Sequence, residues 1–158
     1  MADSNCTHDC SSCGSACGDR TAPQDPHLPL GEGSHIKQVI AVMSGKGGVG
    51  KSSVTACLAA ALRKTGKTVG VLDADLTGPS IPKLFGIRER AVPTPMGIAP
   101  VETATGIKLM SLNLLTADET DPVIWRGPVI AGVLQQFWQD VAWGDLDVLL
   151  IDMPPGTG

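Results

Sequence analysis

The sequence predicts an α/β domain on a mostly parallel sheet, and three observations carry that prediction. The segments QVIAVM (38–43), TVGVLDAD (68–75) and DVLLID (147–152) are continuous apolar runs, the pattern of strands buried on both faces. A segment of helical period lies between the first two, giving the strand, helix, strand order that makes a right-handed crossover. Apolar residues make up 42% of the 158, yet aromatics only 3% with no tyrosine, so the core is aliphatic, as where helices cover parallel strands.

Residues 1–20 hold four of the five cysteines among Ser, Gly and Asp and show neither helical nor strand period. They read as an irregular arm. Pro23, Pro26 and Pro29 stiffen an extended linker over 21–36. The first part of the domain, 37–158, opens with the strand at 38–43, which runs into the glycine turn SGKGGVGKS. A helix from about Ser52 to Lys64 is expected next. Val54, Cys57, Leu58, Ala61 and Leu62 supply its apolar stripe, which assigns Cys57 to the core, and Arg63, Lys64 and Gly66 suit its C-terminal end. After the strand at 68–75, residues 77–96 carry four prolines and read as a loop with at most a short helix near Ile81–Phe85. Gly97–Val101 and Ile107–Leu112 resemble a hairpin across Thr105-Gly106. Pro128 can open a further helix with Val129, Val133, Leu134, Phe137 and Val141 inward. The third strand ends in MPPGTG. A parallel strand entering a glycine turn normally hands over to another helix, and two long helices cannot cover both faces of the sheet, so the expectation is a piece of a longer protein.

Composition narrows the function classes. Lysine and arginine total 12 against 16 acidic residues, a net charge of −4, and no basic run offers a face to nucleic acid. No apolar stretch approaches the roughly 18 residues that span a bilayer. The opening MADSNCTHDC lacks the basic and apolar regions of a signal peptide. A cytoplasmic protein with neither nucleic acid nor membrane as partner is expected.

Gly45, Lys46, Gly47, Gly48, Val49, Gly50, Lys51 and Ser52 fit G-x-x-x-x-G-K-[ST] between a predicted strand and a predicted helix, with Ser53 in the first turn. In this P-loop, glycines let successive N–H groups curl toward phosphate oxygens, the helix N-terminus adds positive potential, Lys51 reaches the β and γ phosphates and Ser52 ligates Mg2+. Lys46 is either a solvated charge or a group reaching a phosphate bound by a facing subunit. Asp73, Asp75 and Asp152 end strands at the carboxyl edge, where open α/β folds bind ligands. Asp152 is the choice for holding Mg2+ through water; capping of the following turn is the alternative for Asp73 and Asp75.

Cys6, Cys10, Cys13 and Cys17 form C-x3-C-x2-C-x3-C. Such gaps suit thiolates converging on one small inorganic centre, with iron–sulfur the leading reading. A zinc site, in which His8 can replace one thiolate, is the rival; free or disulfide-linked thiols are a third alternative, disfavoured in a reducing compartment.

KGGVGKS with its extra lysine, DADLTGPSIP, WRGP and IDMPPGTG occur in that order over about Lys37 to Gly158. Together they resemble the Mrp/ApbC group of deviant P-loop ATPases, related to MinD, ParA and the nitrogenase iron protein. The resemblance implies a doubly wound fold, incomplete in this chain, that dimerises face to face over two ATP molecules and carries iron–sulfur clusters to apo iron–sulfur proteins. By position it implies that Lys46 reaches across the homodimer, that Lys51 and Ser52 bind phosphate and Mg2+, that Asp75 orients the attacking water, that Asp152 stands behind the Mg2+ and that Gly156 senses the γ-phosphate. It also implies a [4Fe-4S] cluster on the cysteine arm, although the outer gaps are shorter than in eukaryotic scaffold members. The adenine-contacting segments and a terminal C-x-x-C pair would fall beyond Gly158, so the chain alone is expected to be as readily inactive as active. A positioning ATPase of the MinD/ParA kind is the alternative function; the cysteine arm and the sequence DADLTGPS argue against it.

Overall fold

The computed structural model describes residues 29–31, 33–75, 78, 80–115 and 127–156. Cys6, Cys10, Cys13, Cys17, His8, His27, Trp125 and Arg126 lie outside the described residues.

The predicted strand–turn–helix–strand unit forms with β1 at His35–Val42, α1 at Lys51–Lys64 and β2 at Val69–Asp73. A four-residue helix, α2, follows at Ile81–Leu84. Two short strands, β3 at Val92–Thr94 and β4 at Gly97–Ala99, pair antiparallel as their own hairpin. β5 at Val101–Glu102 then pairs antiparallel with β6 at Lys108–Ser111, across the turn expected at Thr105-Gly106. A 3-10 turn at Leu112–Leu114, α3 at Gly127–Asp140 and β7 at Asp145–Asp152 complete the order.

The five-stranded sheet runs β1-β7-β2-β6-β5. Its first four strands are all parallel. β7, the last strand in the described order, thus slots between the first two, and the parallel connections cross the faces of the sheet. α1 and α2 cover one face and α3 the other. Neighbouring residues on a strand alternate accordingly: Val71 and Leu109 join Ala59 of α1 and Ile81 of α2, whereas Leu72 and Met110 join Phe137 of α3, Val141 and Trp143. Each of the fully buried Val, Leu, Ile, Met and Phe side chains among them stabilises the fold by roughly 1.5–3 kcal/mol.

Three expectations from the sequence are corrected. The first strand is not buried on both faces: among the described residues β1 lies at the edge of the sheet beside β7, and Val39 remains 43% exposed. In α1 the buried positions are Lys51, Thr55 and Ala59, one turn apart, with Leu58 and Leu62 packed beside them. Val54 and Ala61 are exposed, and Cys57 is an exposed free thiol rather than a core residue. The helix lies over β7 and β2, and no described element covers the flank that carries these three side chains. Finally, only Val101 and Glu102 of the expected first strand pair across Thr105-Gly106 with β6, whereas residues 97–99 pair with β3; Pro100, which has no N–H to give to a ladder, separates the two stretches.

The amino ends of the strands are tied by Asp147. Lys37 Nζ lies 2.7 Å from its Oδ1, and Thr68 donates to its Oδ2 from the backbone N–H (2.8 Å) and the hydroxyl (2.9 Å). The bond from Lys37, helped by the donors on Thr68, holds this carboxyl well below the usual range.

Gly70, the second residue of β2, marks a close approach. A Cβ there would stand 2.6 Å from Leu146 Cδ1, 3.0 Å from Leu149 Cδ1 and 3.2 Å from Trp143 Cε3. Gly70→Ala should therefore cost about 1–3 kcal/mol through overpacking, read as a lower urea midpoint. An unchanged midpoint would show that the leucine ends swing aside freely.

Candidate nucleotide and magnesium site

The loop from Gly45 to Gly50 joins β1 to α1 at the carboxyl edge of the sheet. Gly48 (φ 74°) and Gly50 (φ 91°) take left-handed backbone conformations that a side chain resists, while a Cβ at either would meet nothing within 4 Å. The demand at these positions is conformational rather than a matter of room. Gly50 also caps α1 without any side-chain bond, so the first N–H groups of a 14-residue helix are left to an anion. Backbone bonds fasten the loop after β7 to this end: Met153 N–H donates to Val42 O (3.1 Å) and Gly156 N–H to Ser44 O (3.0 Å).

Strand register sets the carboxylates. Val42 pairs with Asp152, Asp152 with Asp73 and Asp73 with Ser111, one row across four adjacent strands at the carboxyl edge. Asp152 is fully buried and collects the first turn of α1. Its Oδ2 accepts the Ser52 hydroxyl at 2.6 Å and lies 2.8 Å from Lys51 Nζ; its Oδ1 accepts from the Thr55 hydroxyl at 2.9 Å. The lysine contact is an ion pair without hydrogen-bond alignment. The Lys51 ammonium, only 6% exposed along its side chain, thus has no hydrogen-bonding acceptor among the described residues. A buried cation with unspent donors at a helix N-terminus is what phosphate oxygens satisfy. The hydroxyl and carboxylate oxygens of Ser52 and Asp152 are the hard donors that Mg2+ takes, so the residues present fit that ion.

Asp73 is engaged differently. It is fully buried, and its oxygens accept the backbone N–H of Ile81 (3.2 Å) and of Asp75 (3.2 Å). Burial pushes its carboxyl up to about 7, against the lowering effect of those two N–H groups, and the charges of Asp152 and Asp75 add to the rise. This is the cap of the turn after β2, the alternative that the sequence left open for Asp73.

A cleft of about 360 Å3 opens above this row. Of the residues predicted for the site, Lys46, Gly47, Gly48, Gly50, Lys51, Ser52, Ser53 and Asp75 line it. Gly45 and Val49 do not, and Asp73 and Asp152 lie buried outside its lining. Sequence reasoning missed Thr55, and it missed Ser44, Gly78, Ser80, Leu84 and Pro155 in the cleft wall. Thr55 was findable as the residue one helical turn after Lys51; the other five come from three separate segments, with no spacing to join them.

A family model described as ParA, the NUBPL iron-transfer P-loop NTPase, matches residues 35–158. The chain belongs to this family of P-loop NTPases. Two relatives named iron-sulfur cluster carrier protein are 57% identical in Methanocaldococcus jannaschii, over 79% of this chain and 43% of the relative, and 48% identical in Methanococcus maripaludis, over 97% and 55%. The cytosolic Fe-S cluster assembly factor CFD1 of Yarrowia lipolytica is 53% identical over 77% of this chain and 43% of its own. A nucleotide-binding protein of Archaeoglobus fulgidus, solved in complex with ADP, superposes with a TM-score of 0.68 at 52% identity, over 78% of this chain and 46% of that one. This NTPase chain thus spans about half the length of the curated relatives it matches. The doubly wound α/β fold and the P-loop class implied by the four motifs are those of the family, and no helix among the described residues is long and apolar enough to cross a membrane.

Proposed function

We propose that the full-length protein is an ATP-hydrolysing carrier that binds iron–sulfur clusters and passes them to apo iron–sulfur proteins in the cytoplasm. The observation that carries the reading is the convergence of Lys51, Ser52 and Asp152 beneath a P-loop, in a chain about half identical to proteins named as cluster carriers. The domain of 37–158 supplies the nucleotide site, the arm of 1–20 a cluster site through Cys6, Cys10, Cys13 and Cys17, and the linker of 21–36 the reach between them. A relative matched over 97% of this chain has a counterpart for most of the arm and linker as well as the domain.

In this reading the loop N–H groups and Lys51 bind and orient the phosphates, and Asp75, which lines the cleft, orients the attacking water. Lys46 lines the same cleft and completes the charge around the γ-phosphate of a facing subunit in a homodimer. Ser52 and Asp152 would hold the Mg2+, which supplies charge neutralisation to the phosphates when bound. The cluster is cargo, held by thiolates as a [4Fe-4S] centre.

The test is anaerobic reconstitution of the full-length protein beside the Cys6, Cys10, Cys13 and Cys17 to Ser variant, with iron, acid-labile sulfide and zinc counted per chain. Iron and sulfide should bind with a broad absorption near roughly 400 nm, and the variant should lose the share that the arm holds. Zinc alone, or no metal, would sink the cluster site on the arm and favour a positioning ATPase.

A further inference from the structure

Thr55 is not among the P-loop residues, yet it is fully buried and touches the central carboxylate of the site. Its hydroxyl has one proton and two acceptors in reach: the Lys51 carbonyl at 3.1 Å, one turn back on its own helix, and Asp152 Oδ1 at 2.9 Å. The carboxylate is the nearer and the charged one, so the proton goes to Asp152. The two oxygens of Asp152 then have separate tasks. Oδ2 faces Lys51 and Ser52, the two groups that nucleotide and metal would draw away from it; Oδ1 is met by Thr55, which has no other role in the site.

We propose that Thr55 is a positioning residue: by holding Asp152 Oδ1 through its hydroxyl, it fixes the carboxylate so that Oδ2 stays aimed at the magnesium position when Ser52 and Lys51 turn to their ligands. The proposal rests on the nucleotide reading above and names a residue that reading does not use. A carboxylate turns easily about its terminal torsion, and a fixed donor on one oxygen resists that turn. Loss of such an outer partner typically costs about 10–100-fold in metal affinity.

The experiment is calorimetric titration of ATP into the full-length protein, once with Mg2+ and once with EDTA, for wild type, Thr55→Val, Thr55→Ala and Thr55→Ser. Valine keeps the shape and deletes the hydroxyl; alanine deletes it without filling the site; serine restores it. The valine and alanine variants should bind ATP in EDTA as wild type does and lose about 10–100-fold of the strengthening that Mg2+ gives, and serine should recover it. The role is overturned if valine and alanine keep the full Mg2+ effect, if their binding falls equally in EDTA, or if serine fails to restore it. A wild type that binds ATP no better with Mg2+ than with EDTA would instead overturn the magnesium reading itself, and this role with it.

Discussion

Asp152→Ala should lower the stability of the described domain by about 3–5 kcal/mol. The loss does not come from a strong net attraction between Asp152 and Lys51. It comes from what remains: a Lys51 ammonium that is almost wholly enclosed with no counter-charge, and the Ser52 and Thr55 hydroxyls without their acceptor. Burying an uncompensated charge is expensive, whereas replacing both members of a buried pair by apolar residues is often neutral. The double variant Lys51→Met with Asp152→Leu should therefore regain most of the stability that Asp152→Ala loses, since Thr55 can turn to the Lys51 carbonyl. It should still bind no nucleotide. Urea unfolding of the three proteins decides the matter. An Asp152→Ala cost below about 1 kcal/mol would show that Lys51 reaches water once released, and that the enclosure seen here is not what makes the pair matter.

The second large effect is a dependence of stability on pH that runs opposite to ordinary acid denaturation. Asp73 is raised from 3.8 to about 7 by burial, so the folded protein holds this proton where the unfolded chain has released it. With the native state binding more protons between these values, stability falls as pH rises from about 4 to 7. The roughly three-unit rise corresponds to a difference on the order of 4 kcal/mol across that window. Asp147 works the other way, because its lowered carboxyl contributes stability above the unfolded value that is lost in acid. The net curve sums both. Asp73→Asn removes the first contribution alone, so wild-type stability minus variant stability, from urea unfolding at pH 4 through 7.5, should decline by about this amount and level off above 7. A flat difference would mean that the backbone N–H groups of Ile81 and Asp75 compensate the buried charge fully.

Much of the local structure was legible in the sequence because its causes are local. The glycines at 48 and 50 announce a left-handed turn by being glycine, and the run to Lys64 announces a helix by its period. Helix α1 nevertheless turns a face to the sheet offset from the one its apolar residues marked. Lys51 and Thr55, polar and so outside the apolar stripe, are buried on that face beside the carboxylate of Asp152. Hydrophobic periodicity overlooks a polar core whose members satisfy one another. The same limit explains Asp73 and Asp152: both are strand-ending aspartates, and only the contacts around each separate a cap of the following turn from the carboxylate behind the P-loop.

The sequence by itself determined the α/β class, the phosphate-binding loop and the order of the three apolar strands and two long helices, since each follows from backbone preferences within a few neighbouring residues. Tertiary structure alone decided that β7 slides between β1 and β2 in a register that brings Asp152 to Ser52, 100 residues earlier in the chain. Pairing of distant strands depends on the summed burial and hydrogen bonding of the whole sheet, and no local stretch of sequence carries that sum.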